Sequence, residues 1–437
     1  MSVSSGMASF FRQGSWMVVA TVGSGVFMSA VHVVAASMAK AEYGVFFTLL
    51  RVFLLMGIPA LGLQTVFAQQ AAAAHTETQD RELAQTTRSV LRVTFLVWLG
   101  MAAAAAASSQ VLLRQLKIGN PIALWLTVGL GLSALWLPVL KGLLQGRQAF
   151  TGLGGVMILD GVGRFLAVAV IVLGLGGQAA GGLLGALVGQ WLAILVAAWL
   201  TRHWWRGAGA PFLWRPWLRR VVPLTLGPGA VLVMCNADIL MVQAVFPEQQ
   251  TPYYMAGAMV GFALVQFATP LAAVMFPKLV RSRARAERSD AMQWTLISTF
   301  AMGALAAIGS TLLPELPLRV LYFRNPDFVQ AAPLVPWFAW AMLMVTLANV
   351  LINNLLAAGR YRVVPWLALL AGAYVAALLG CRGYLAQLET AAAFGAVVRI
   401  LTGFSALLFA MVAWFTWGCP RAASDHRSDE LPALPRG

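Results

Sequence analysis

Charge is what this chain has least of. Of 437 residues only 10% are Asp, Glu, Lys or Arg, and the acidic ones number just 15. A soluble domain carries about a quarter charged residues, so this sequence cannot cover a water-facing surface, and lipid is the solvent for much of it. Cysteine is scarce too: Cys235, Cys381 and Cys419 are odd in number and far apart. That excludes a disulfide framework and leaves them as small packing residues. No Walker A loop is present, so the chain does not itself hydrolyse ATP. There is no His/Cys/carboxylate cluster at metal-ligand spacing and no G-x-S-x-G nucleophile turn. Nothing in the sequence marks an enzyme, a metal site or a bound cofactor.

What is present is apolar. Hydrophobic residues make up 60% of the chain, gathered into runs long enough to cross a bilayer, which takes about 20 residues. The spans are read as 15–37, 44–67, 89–110, 121–143, 153–174 and 178–200, then 221–245, 253–276, 292–313, 332–357, 363–380 and 391–417. The first is too long for the core of a cleaved signal peptide and is read as a retained span. Only a few small residues around Gly177 divide the fifth from the sixth. The expected fold is an all-α polytopic membrane protein of about twelve transmembrane helices.

The formal charge of +15 is distributed in short breaks between these runs, not in a compact basic domain, so nucleic acid is not a partner. With both termini inside, 21 Lys and Arg fall in inner segments, Lys141 and Arg147 among them, and 6 in outer loops. By the positive-inside rule that bias fixes an N-in, C-in orientation. The basic runs RSRARAER and RHWWRGAGAPFLWRPWLRR read as topology signals that also touch lipid headgroups. Outer loops are short throughout, and the tail after Gly418 is polar and expected to be disordered.

The two halves resemble each other. AEYGVFFTLLRVFLLMGIPALGLQTVF in the first and TPYYMAGAMVGFALVQFATPLAAVMFP in the second align at an offset of 210 residues, and Gly146-Arg147 falls on Gly359-Arg360 at 213. The expected organisation is a six-helix bundle over 1–201, a basic cytoplasmic linker over 202–220, a second bundle over 221–418 and a disordered tail over 419–437. An even number of helices makes the repeats parallel. Transporters built this way bind substrate near the midplane between the halves and rock one against the other.

An ionisable residue inside a span marks a functional site unless it is paired. Arg51 lies about seven residues into the second span, roughly 10 Å deep at about 1.5 Å per residue. Asp160 and Arg164 sit four apart on the fifth span, the favourable order for a same-face pair. Asp238 in the seventh span and Arg399 in the twelfth share the depth of Arg51. These five groups are either structural ion pairs or a cationic cavity for an anionic headgroup, since the guanidinium forks onto phosphate oxygens. Asp160 and Asp238 are the candidate ion-coupling or gating acids. His32 reads as a packed or interfacial imidazole. Asn349 and Asn353 share a face of the tenth span and are candidate sugar contacts, with interhelical hydrogen bonding as the alternative. Pro228, flanked by Gly227 and Gly229, is the candidate hinge.

The stretch EYGVFFTLLRVFLLMGIPALGL, the KGLLQGRQAF after the fourth span and NADILMVQAVF…YYMAGAM from the seventh into the eighth resemble a known family. In order and spacing they are similar to the polysaccharide transporters, the Wzx-type O-antigen and exopolysaccharide flippases of the multidrug/oligosaccharidyl-lipid/polysaccharide (MOP) exporter superfamily. The resemblance covers nearly the whole chain. It implies a flippase of the bacterial inner membrane that moves an undecaprenyl-pyrophosphate-linked oligosaccharide outward. Arg51, Arg164 and Arg399 are the positions onto which pyrophosphate binding carries over. It also implies no cofactor, coupling to a proton or ion gradient, and partnership with membrane lipids and with the polymerase and glycosyltransferases of the same pathway. Two departures put the coupling ion in question: the first span has no acidic residue, and the eleventh has no Asp or Asn. The rival readings are a cation-coupled drug exporter of the same superfamily and, from another class, a membrane glycan polymerase or ligase, which the short outer loops disfavour.

Overall fold

A backbone in hydrocarbon must satisfy its own N–H and C=O groups, and wherever the apolar runs are described they are helical. The computed structural model describes residues 3–206, 214–263 and 291–418. Part of the linker (207–213), the second part of the expected eighth span with its basic run (264–290) and the tail (419–437) lie outside the described residues. The first half comprises α1 (Val3–Ala35), α2 (Lys40–Met56), α3 (Leu63–Ala73), α4 (Glu77–Ala107), α5 (Ser109–Gln115), α6 (Pro121–Gly146), α7 (Phe150–Ala169) and α8 (Ala179–Trp205). The second comprises α9 (Trp214–Met234), α10 (Ala237–Val245), α11 (251–263), α12 (Ala291–Leu312), α13 (Glu315–Leu321), α14 (Val335–Ala357), α15 (Val364–Gly380), α16 (Arg382–Leu385) and α17 (Thr390–Ala413).

Among the described residues there is no strand, and nine helices are long and apolar enough to cross a membrane, or eleven when two bent pairs each count as one span. The expected eighth span, 253–276, is described as helix only over 251–263. The first bent pair is α2 with the segment Ile58–Ala73, at 42°. Pro59 causes it by opening a single 3-10 turn over Ile58–Ala60, where its missing N–H interrupts the ladder. The second pairs α12 with α13 at 96°, with Pro314 as the N-cap of α13. α4 begins at Glu77, well before its apolar run, because Thr76 and Gln79 form a reciprocal capping box.

Small residues decide which helices approach. Gly161 of α7 packs on Ser24 of α1, and Gly163 of α7 faces Gly189 of α8, so the backbones meet with little side chain between them. In the first half α1 packs on α7, α3 and α4 on α6, and α6 on α8. In the second, α9 packs on α15, α11 and α12 on α14, and α14 on α17. The pairings recur in the same order.

The turns recur as well. Ala149 N donates to Leu144 O and Arg360 N to Leu355 O, both at 2.9 Å, the long-range bond of a Schellman motif. Their spacing is 211 residues, between the two sequence offsets. The Gly-Arg match at 213 is therefore out of structural register by two. Gly146 is still inside α6, where a Cβ would press on Ala71 of α3. Gly359 is the left-handed residue of its turn at φ +71°, and its structural counterpart is Gln148 at φ +56°.

Both ends of the described chain lie at one face. α17 starts beside Phe246 and Tyr254, whose rings pack on Phe394 at 5.2 and 5.4 Å, so it ends at the opposite face, where α1 begins. That end is called the terminal face below, and the other the gate face.

Candidate functional site

A cavity of about 440 Å³ lies at mid-depth, where α1, α2, α7 and α8 meet α9, α11 and α14. Its walls are mainly apolar, with Val31, Phe53, Val231, Met259, Phe262 and Met342 among them. The polar groups that reach it are Ser29, His32, Arg51, Arg164, Asn236, Thr346 and Asn349. No Asp or Glu among the described residues lines it.

Arg51 is held by aromatic faces rather than by an acid. Its guanidinium sits 4.4 Å from the ring centre of Phe47 and 3.9 Å from that of Phe262. The residue is 7% exposed, and its Nε has no hydrogen-bond partner among the described residues. Such stacking on desolvated rings contributes about 2 kcal/mol, which offsets only part of what burying a cation costs. Phe262 stands 211 residues after Arg51, so the structural repeat places equivalent positions of the two halves against each other, with the cation on one side only. The imidazole of His32 packs on Phe47 at 5.3 Å, and its Nδ1 is also without a partner among the described residues. It lines the cavity rather than the membrane interface.

Arg164 reaches the cavity from α7 while tied to Asp160. Nη2 lies 2.7 Å and Nε 2.9 Å from Asp160 Oδ1. The pair expected from the i, i+4 spacing is present but not closed, because Lys141 Nζ of α6 lies 3.3 Å from Asp160 Oδ2. Lys141 is thus a half-buried partner of Asp160 and not one of the inner-loop topology charges with which the sequence count groups it. Lys141, which sequence reading keeps apart, joins the Asp160–Arg164 pair in one triad. A mid-helix lysine ahead of Gly146-Arg147 is the only signal that marks it.

Asp238 is 1% exposed. It accepts a 2.6 Å hydrogen bond from the hydroxyl of Tyr254, and its Oδ1 has no side-chain partner among the described residues. It lies close enough to Arg51 for the two charges to interact but forms no ion pair with it. Asn349 lines the cavity, and Asn353 one turn on donates to it at 3.4 Å. Both are exposed, and among the described residues neither hydrogen-bonds another helix.

Arg399 does not join Arg51 and Arg164. The buried stripe of α17 is Phe394, Val397, Val398, Leu401 and Ser405, which turns Arg399 outward, where its Nε donates back to Gly395 O at 3.1 Å. Pro228 lines the cavity, yet α9 runs through it unbroken. The seventh span is interrupted instead at Cys235–Asn236, where Asn236 Nδ2 bonds Leu232 O at 2.6 Å and its Oδ1 stays unpartnered. The glycines flanking Pro228 serve packing: a Cβ on Gly229 would stand 2.8 Å from Ile58, and one on Gly227 3.3 Å from Leu356.

The halves are joined across the gate face. The Tyr43 and Tyr322 hydroxyls are 2.7 Å apart within rings that include Phe328. Lys40 pairs with Asp327 at 2.5 Å and donates to Tyr253 at 3.2 Å. Gln243 Nε2 bonds Leu116 O at 3.0 Å, and Asn325 bonds Ala36 O. In this state the cavity is closed on that side.

No protein-family model matches the chain, and no curated protein matches it. Solved structures resemble it. The inward-facing conformation of a multidrug resistance MATE family transporter of the MOP superfamily aligns over 90% of this chain and 93% of its own, with TM-score 0.62 and 14% identity. A MOP superfamily transporter from Pyrococcus furiosus, for which reversed polarity of the binding pocket suggests a different function, aligns over 93% and 95%, with TM-score 0.60 and 12% identity. The lipid II flippase MurJ in an inward closed conformation aligns over 92% and 87%, with TM-score 0.67 and 11% identity. At these identities the likeness is one of fold: the chain folds like MOP superfamily transporters.

Proposed function

We propose that the protein is a flippase of the bacterial inner membrane that moves an undecaprenyl-pyrophosphate-linked oligosaccharide to the outer leaflet for O-antigen, capsule or exopolysaccharide synthesis. The observation that carries this reading is a cavity between the two halves with two arginines and, among the described residues, no carboxylate on its walls and no partner for the Nε of Arg51. A diphosphate would supply what Arg51 lacks, in the forked geometry that guanidinium groups favour. The apolar walls exclude water and strengthen that attraction. Thr346, Asn349 and Asn353 are the side chains suited to sugar hydroxyls.

By the positive-inside count, the terminal face is cytoplasmic and the gate face is outer, so the state described here is sealed to the outside. Alternating access would move the 1–201 bundle against the 221–418 bundle, breaking the Tyr43 and Lys40 contacts as the terminal face closes. Coupling to a proton or ion gradient, and work alongside the polymerase and glycosyltransferases of the pathway, belong to the same reading.

In a complementation strain, Arg51→Ala and Arg164→Ala should each abolish surface polysaccharide at unchanged membrane abundance, while Arg399→Ala should not. Full export from both cavity variants would overturn the proposal. One observation favours a second reading. Asp238 is a buried acid with a free oxygen near the cavity, as a cation-coupled drug exporter would need. That reading requires raised resistance to cationic dyes on expression, dependent on Asp238.

A further inference from the structure

The cavity walls carry two cations, yet each has a carboxylate within electrostatic reach. Arg164 is bound to Asp160, and Arg51 interacts with Asp238. Counting His32 as neutral, these four charges cancel, and a cavity with no net charge has little to offer a diphosphate beyond hydrogen bonds. The fifth charge is Lys141. It does not line the cavity. Its side chain is 17% exposed, and its ammonium takes the oxygen of Asp160 that Arg164 leaves free.

We propose that Lys141 is the residue that makes this cavity selective for a diphosphate, acting through Asp160 as a positioning and charge-setting group. The inference rests on the anion-binding reading above and deepens it. Two physical effects run in the same direction. Lys141 returns the local sum to one positive charge. It also divides the carboxylate between two cations, so that Asp160 holds Arg164 through Nε and Nη2 while Nη1 stays outside the pair. Gly189 contributes by letting α8 close on the backbone at Arg164, which fixes where the guanidinium emerges. Removing one member of this ionic group leaves the others uncompensated, so the two single substitutions act in opposite directions and the paired one cancels them.

The test is equilibrium binding to the purified full chain, using inorganic pyrophosphate and farnesyl pyrophosphate as probes. At an effective dielectric of about 20, losing a nearby unit charge weakens binding of the anion roughly tenfold or more, which is the expectation for Lys141→Met with both probes. Lys141→Arg should recover the affinity. Asp160→Asn alone should bind more tightly than the native protein, because it raises the local charge by one. Lys141→Met with Asp160→Asn should return to the native value, since one charge of each sign is gone. A tighter hold on farnesyl pyrophosphate than on pyrophosphate, with the same dependence on Lys141, supports a lipid-borne diphosphate over a free one. The inference is overturned if the native chain binds the probes and Lys141→Met binds them equally well. It is overturned equally if Asp160→Asn and the double variant both bind worse than Lys141→Met, as a packing role requires. If the native chain binds neither probe, the anion cavity itself is refuted, and this inference goes with it.

Discussion

Arg164 reaches the cavity because a glycine stands behind it. A Cβ on Gly189 would fall into the backbone N and Cα of Arg164 and the carbonyl carbon of Gly163, atoms that cannot move aside without shifting α7 against α8. Gly189→Ala should therefore lower the melting temperature in detergent, at a cost of about 1–3 kcal/mol, and reduce transport by displacing the guanidinium. Gly155 on the same helix α7 meets nothing within 4 Å. Gly155→Ala should be neutral or slightly stabilising, since alanine favours the helix by about 1 kcal/mol. Similar losses of stability in both would separate Arg164 from the close approach at Gly189. Arg51 is placed differently, by two rings rather than by a missing side chain, and its Nε has no partner among the described residues whereas that of Arg164 is bound to Asp160.

At the scale of elements, α9 shows how a proline and its neighbours divide their roles. Pro228 removes one donor from the ladder, but α9 continues to Met234 and the break comes at Cys235–Asn236. Pro228→Ala should leave transport within about twofold, a barrier change under roughly 0.5 kcal/mol. Gly229→Leu should abolish it, because even a Cβ there stands 2.8 Å from Ile58 of the bent second span. Transport assays at matched expression decide the matter. Loss in the proline variant with retention in the glycine variant would move the hinge back to Pro228. Two other element boundaries follow from short signals: the capping box Thr76–Gln79 starts α4 ahead of its apolar run, and Pro314 turns α12 into α13. Hydropathy alone marks neither, since it reports depth in lipid and not where a backbone ladder begins.

Taken whole, the molecule is closed at the gate face by contacts of unequal strength. The Lys40–Asp327 pair has side chains 36% and 62% exposed, and such pairs contribute about 0–1 kcal/mol. The buried Tyr43–Tyr322 bond is worth more, because breaking it strands a hydroxyl at a cost of about 1–3 kcal/mol. Cys235 reports on this closure: it is a free cysteine on the cavity wall. In a background of Cys381→Ala and Cys419→Ala, a membrane-impermeant thiol reagent added at the gate face should label Cys235 slowly. Tyr43→Phe should raise that rate roughly tenfold, in line with the shift of about 1.4 kcal/mol that such a factor represents. Asp327→Asn should raise it less than about threefold. Equal rates in the two variants would remove the distinction drawn here between the exposed pair and the buried bond.

By itself the sequence determined which stretches form helices long and apolar enough for lipid and how far along them Arg51, Asp238 and Arg399 lie. Those quantities follow from local hydropathy and from about 1.5 Å of rise per residue. It also made the internal repeat visible, off by two residues at the Gly359 turn. What it left open was direction around each helix axis. Helices that are apolar all round carry no polar stripe to reveal which side faces a neighbour, so Arg399 and Arg51 look alike at equal depth. Tertiary packing turned Arg399 outward, opposite the buried stripe of α17, and brought Arg51 between Phe47 and Phe262. It also brought Lys141 across from α6 to Asp160, a contact between residues 19 apart that no helical period predicts.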